Sequence, residues 1–155
     1  MESTNEKTLF EVAEIQLTYK SKVKPSLRPK ITGSKDVYEV FKKYWDENKI
    51  EFVEQFKVLL LNRANKVIGI YEVSSGTATG TVADPKSIFV AALKGNACAV
   101  ILAHNHPSGN LIPSQADIKL TKEMVAAGKF LHISVLDHVI MTSETYYSFA
   151  DEGLL

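Results

Sequence analysis

At 155 residues, with 45% hydrophobic and 23% charged side chains, the chain has the size and composition of one globular domain with a single substantial core. Lysine plus arginine equals aspartate plus glutamate at 18 each, so no overall field draws it to nucleic acid or to an anionic membrane. Its longest apolar runs, VLLL and AVILA, fall far short of the roughly 20 residues that span a bilayer, and MESTNEK is no signal peptide, which together predict a cytoplasmic protein with no membrane partner.

In EIQLTYK the apolar Ile15, Leu17 and Tyr19 alternate, the period of a half-buried strand. Lys20, Lys22, Lys24, Arg28 and Lys30 follow, with two prolines and no acid, as an extended connection rather than a helix. This segment reads either as a solvated loop or as a contact for an acidic partner or phosphate backbone, a nucleic-acid signal weakened by the lack of interleaved aromatics. From Ser34, read as an N-cap, Val37, Val40, Phe41, Tyr44 and Trp45 recur at helical spacing and place their aromatics in the core. EQFKVLLLN and KVIGIYEV, on either side of a polar RAN, predict a hairpin. The glycines of the next loop, Gly76 and Gly80, do not stand in a phosphate-binding order. Asp84 and Pro85 read as the cap and first turn of a helix reaching about Lys94, with Gly95 as its stop. CAVILA is a continuous apolar run, consistent with a central strand buried on both faces, with the single cysteine, Cys98, a small buried hydrophobe.

That strand ends at His104. Side chains alternate along a strand, so His104 and His106 project to one side and Asn105 to the other, which gives two imidazoles a shared target. The helix predicted over SQADIKLTKEMVAAGK has Ser114 at its N-cap, Asp117 at its third position and Gly128 at its end. Local capping alone accounts for Ser114 and Asp117, and a His-x-His pair can equally be two hydrogen-bonded polar residues. If the three are metal ligands, catalysis needs a further carboxylate that takes a proton from the ion's water. Glu54, at the start of its strand, is the candidate, with Glu51 and Glu72 as rivals.

Glu54, His104, His106 and Asp117 stand in the order Glu…His-x-His-x10-Asp. With AHNHPSGNLIPSQAD and LDHVI, and with EQFKVLLLN, SSGT and YYSFADEG, the chain resembles the RadC-like branch of the JAB/MPN (JAMM) zinc metalloprotease superfamily from residue 34 to residue 155. The resemblance implies an α/β fold, a mixed sheet flanked by helices of cytidine-deaminase-like architecture. Residues 1–33 then form an N-terminal strand and basic extended segment, in one globular unit with the rest. The helix-hairpin-helix region of longer RadC-like proteins is not found, so the chain resembles a stand-alone catalytic-type domain. The resemblance further implies Zn2+ held by His104, His106 and Asp117, Glu54 as general base and acid, and Ser114 holding the carbonyl oxygen as it becomes an oxyanion. Asp137 or His138 would orient a zinc-bound imidazole, and Asn105, Ser108 and Gly109 would shape the loop beside the ion. The implied function is a metallopeptidase or isopeptidase acting on a peptide or protein. The other readings are a metal-dependent DNA-processing protein, because RadC-like proteins are commonly associated with DNA repair, and a non-catalytic scaffold. A zinc nucleobase deaminase is disfavoured, since its His-x-Glu and Pro-Cys-x-x-Cys ligands are missing.

Overall fold

The alternation of apolar residues becomes one sheet with two buried faces in a computed structural model that describes residues 10–77 and 82–155. In chain order the elements are α1 (Ser34–Tyr44), β1 (Gln55–Leu61), β2 (Val67–Ser75), α2 (Pro85–Lys94), β3 (Ala99–Asn105), α3 (Gln115–Phe130), β4 (Ser134–Met141) and β5 (Tyr146–Ser148). The strands lie in the order β2-β1-β3-β4-β5. Only β3 and β4 are parallel, and the other neighbours are antiparallel. The fold is therefore α/β with a mixed sheet, as expected. Leu59, Leu61, Ile101, Ala103, Val139 and Met141 face α1, where they pack with Val37, Phe41 and Trp45. Phe56, Val58, Leu60, Val100 and Leu102 face the opposite way and pack with Ile88 of α2 and Met124 of α3. β1 and β3 are buried along their whole length.

Two connections place the site. A parallel pair needs a crossover, so α3 runs back along the sheet between β3 and β4 and its first turn starts beside the carboxyl end of β3. β1 runs antiparallel to β3 with Phe56 opposite His104, so β1 begins where β3 ends.

Five expectations are corrected. No strand forms over residues 11–20: Ile15 and Leu17 are 83% and 87% exposed, because alternation makes a strand only where a partner strand and a buried face exist. Instead Pro29 and Ile31 hydrogen-bond to Val67 and Asn65 at the β1–β2 turn, and Pro25–Leu27 forms a single 3-10 turn in the basic segment. Gly33, not Ser34, is the N-cap of α1, and the Ser34 hydroxyl donates to Asp151 at 2.6 Å. Tyr44 is exposed, while the neighbouring Trp45 is buried. Cys98 is exposed, because it precedes β3, tied by its backbone to Leu61 and Ser134 with its thiol outside the sheet. α3 runs past Gly128 to Phe130. A Cβ on Gly128 would lie 2.3 Å from the Ile133 carbonyl oxygen, so glycine is needed there for the close approach of helix and strand rather than as a stop. Residues 1–7 and Gly80 lie outside the described residues. The hairpin, the Asp84 cap with Pro85, and the Ser114 capping box are as expected.

Candidate metal centre

At the carboxyl end of β3 three side-chain donors converge. His104 Nε2 and His106 Nε2 are 3.0 Å apart, and Asp117 Oδ2 lies 3.4 Å from the first and 3.7 Å from the second. An ion with tetrahedral ligands at about 2.0–2.2 Å separates its donors by roughly 3.3–3.6 Å, a range that these three distances bracket, so small shifts of the side chains would seat a small divalent cation. Glu54 joins the group: a carboxylate oxygen and a ring nitrogen of each histidine all lie within 4.8 Å of one another. The set is borderline-soft nitrogen plus hard oxygen, the chemistry that suits zinc.

Each donor is held by its element. Asp117 sits in the first turn of α3, where Ser114 Oγ accepts from the Asp117 N–H at 3.0 Å and Asp117 Oδ2 accepts from the Ser114 N–H at 2.8 Å. The capping box therefore fixes the carboxylate and leaves its remaining lone pairs facing the histidines. His106 donates from Nδ1 to the Asn110 carbonyl, which the turn at Gly109 (φ +79°) brings round, so the neutral ring presents the Nε2 lone pair. His104 is almost wholly buried and stacks on Phe56, centroids 5.9 Å apart and planes within 1°. Its Nδ1 is 2.8 Å from His138 Nε2. Glu54 is held by its backbone, which bonds to Thr77 and Gly76 beyond the end of β2. From the opposite face of β3 the buried Asn105 amide accepts from the Gln55 N–H and donates to the Ile50 and Val53 carbonyls, pinning the turn that carries Glu54.

Charge follows burial and pairing. Burial pushes the Glu54 carboxyl above its ordinary value, against the pull of His104 and His106, as a proton-transfer group requires. Pairing with Asp117 raises His106 above 6.5 against the effect of burial. Burial would raise Asp117 too, but His104, His106 and the Ser114 N–H outweigh it and hold that carboxyl far below its ordinary value. Complete burial, helped by His104, keeps His138 well below 6.5 and so neutral.

The rival carboxylates are engaged by other groups, although Glu51 lines the same cleft as His106. Glu72 lies 3.5 Å from Lys57, and Glu51 accepts a hydrogen bond from Ser143. Asp137 bonds to the His138 and Ala150 N–H groups and to the Ser148 hydroxyl, so it staples the segment after β5 to β4 rather than orienting an imidazole. Sequence reasoning missed Thr121, whose hydroxyl lies 2.6 Å from His138 Nδ1. Its position one helical turn beyond Asp117 was the available signal.

A family model for the RadC-like JAB domain matches residues 31–154. A UPF0758 protein of Flavobacterium johnsoniae is 42% identical over 92% of this chain and 62% of its own length. Others, from Symbiobacterium thermophilum and Thermosynechococcus vestitus, are 47% and 50% identical over 66% and 61% of this chain and 44% and 38% of their own lengths. The chain thus spans less than two thirds of the length of these relatives.

Proposed function

The chain belongs to the RadC-like JAB domain family, and from that premise we propose that it is a zinc-dependent hydrolase that cleaves an amide or isopeptide bond in a peptide or protein. Family membership and the Glu54, His104 and His106 cluster fit a metal-dependent hydrolase. The observation that carries it is a half-buried carboxylate, Glu54, with raised proton affinity beside a three-donor site.

His104, His106 and Asp117 would hold the ion. Bound zinc supplies a Lewis acid that lowers the pKa of a water from 15.7 towards about 7. Glu54 then takes the proton from the attacking water and delivers it to the departing amine nitrogen, so one carboxyl serves as base and acid. Ser114 Oγ already accepts from the Asp117 N–H, which leaves its own proton free to donate to the carbonyl oxygen as negative charge builds there. Capping and oxyanion stabilisation thus use different parts of one hydroxyl.

The test is a zinc titration and a peptide and isopeptide cleavage screen on wild type, Glu54→Gln and His106→Ala. Zinc kept with cleavage lost in Glu54→Gln, and both lost in His106→Ala, is the expected result. Cleavage that survives in Glu54→Gln overturns the assignment of the base.

A further inference from the structure

Behind the site runs a buried file of polar groups that the proposed hydrolysis does not use. Thr121 Oγ1 lies 2.7 Å from the Asp117 carbonyl oxygen and 2.6 Å from His138 Nδ1. His138 Nε2 lies 2.8 Å from His104 Nδ1. Thr121, His138 and His104 are each no more than 1% exposed, so these contacts are not exchanged for water. Phe149 stacks on His138 with centroids 4.7 Å apart and planes at 16°, while Phe56 covers His104. Neither ring has room to turn freely.

The direction of this file follows from donor counting. A carbonyl oxygen can only accept, so the Thr121–Asp117 contact at 2.7 Å needs the hydroxyl proton between the two oxygens. That proton is spent, and Thr121 meets His138 Nδ1 with a lone pair. His138 must therefore carry its proton on Nδ1. Its Nε2 is then an acceptor, and His104 must donate to it from Nδ1. What remains on the His104 ring is an Nε2 lone pair, aimed at His106 and Asp117.

We propose that Thr121 and His138 are positioning residues that hold His104 in its Nδ1–H tautomer, with the direction of the hydrogen bonds set by the Asp117 carbonyl. The proposal rests on His104 and Asp117 being metal ligands only for its purpose; the tautomer itself is a property of the metal-free protein. α3 then contributes twice to one site: Asp117 brings a carboxylate to the ion, and Thr121, one turn on, readies the other buried ligand. The opposite direction, with the hydroxyl turned to His138, would supply the proton for the 3.0 Å contact between His104 Nε2 and His106 Nε2, but it puts that proton where a cation must bind and sets two lone-paired oxygens face to face at 2.7 Å. Pre-selecting the tautomer removes the need to shift a buried proton when the ion arrives.

The experiment uses the full chain labelled with 15N and freed of metal. At about pH 8, above the ordinary imidazole value of roughly 6.5, long-range 1H–15N spectra report which ring nitrogen carries the proton. His104 and His138 are both expected as Nδ1–H, and a neutral His104 protonated on Nε2 overturns the proposal. Zinc affinity, measured by chelator competition, gives the second readout. Thr121→Val keeps the shape and removes the hydroxyl, and is expected to weaken zinc by roughly 10- to 100-fold, the scale for loss of a partner behind a ligand. Thr121→Ser is expected to restore both the affinity and the Nδ1–H signal. Equal affinity in wild type and Thr121→Val, with both melting cooperatively, overturns the proposal. If wild type shows the tautomer but binds no zinc, the hydrolase reading fails while the hydrogen-bond direction stands.

Discussion

The two sides of β3 at its carboxyl end carry different kinds of polar order. Towards α3, His104 belongs to a file of side chains that ends where His106 and Asp117 converge on its Nε2. Towards α1, Asn105 spends its amide on backbone groups at Ile50, Val53 and Gln55 and presents nothing to a ligand. One residue separates chemistry from scaffolding, because a strand alternates its side chains. Burial alone therefore does not mark a functional residue. His104 and Asn105 are equally buried, and what distinguishes them is whether every lone pair has a protein partner.

The largest effect is expected from Glu54→Gln, which removes the carboxylate on the α3 side and leaves His104, His106 and Asp117 in place. Turnover of any substrate found is expected to fall by roughly 100-fold or more, with one zinc per chain retained, both read on the same preparation. Turnover unchanged by the substitution would return Glu51 to candidacy.

Asn105→Leu tests the other side. It leaves the Gln55 N–H and two carbonyls buried without partners, which costs on the order of 2–4 kcal/mol in urea unfolding. In the folded fraction, zinc affinity should change little while turnover drops, because the turn carrying Glu54 is released and the ligands are not. A variant as stable as wild type would show that water or a repacked turn replaces the amide.

Changing pH sharpens the contrast without substitution. In the metal-free protein Asp117 is depressed in the folded state, so its contribution to stability is present above its ordinary value near 3.8 and is lost as pH falls through its lower folded value. His106 is raised, so its contribution is present below 6.5 and is lost as pH climbs through its folded value above that. Zinc requires neutral imidazoles, so its affinity should run the other way and weaken as pH falls through the same raised His106 value. Thermal melts with and without zinc across pH 5–9 check the His106 and zinc trends, metal-free melts extended below pH 3.8 check that of Asp117, and a zinc affinity flat over pH 5–9 would exclude histidine ligation.

The smallest effect is expected at the basic segment, where Lys22, Lys24 and Lys30 are exposed and Arg28 makes a long hydrogen bond, 3.4 Å, to the Val23 carbonyl. Replacing Lys22, Lys24, Arg28 and Lys30 should leave the melting temperature within about 2 °C, since exposed surface changes away from special features are worth about 0.5 kcal/mol or less. DNA binding at physiological salt should be absent before and after. A steeply salt-dependent affinity lost on replacement would favour the nucleic-acid reading.

The sequence by itself determined what depends on neighbours along the chain. Dihedral periodicity and capping chemistry made the hairpin, the helix after Asp84 and Pro85, the buried run of β3, the shared direction of His104 and His106, and the Ser114–Asp117 box legible from spacing alone. The family resemblance supplied a likeness for Glu54, but spacing did not separate it from Glu51 and Glu72. The tertiary structure brings Glu54 within 4.8 Å of the two histidine donors, because the antiparallel register sets Phe56 opposite His104, across 48 residues of chain. The same dependence on register and crossover decided that Ile15 and Leu17 have no partner strand, that Cys98 stands outside the sheet, and that Thr121 and His138 meet behind His104. Local rules act through bonded neighbours, whereas these contacts exist only once the loop entropy between distant segments has been overcome by packing the two faces of the sheet.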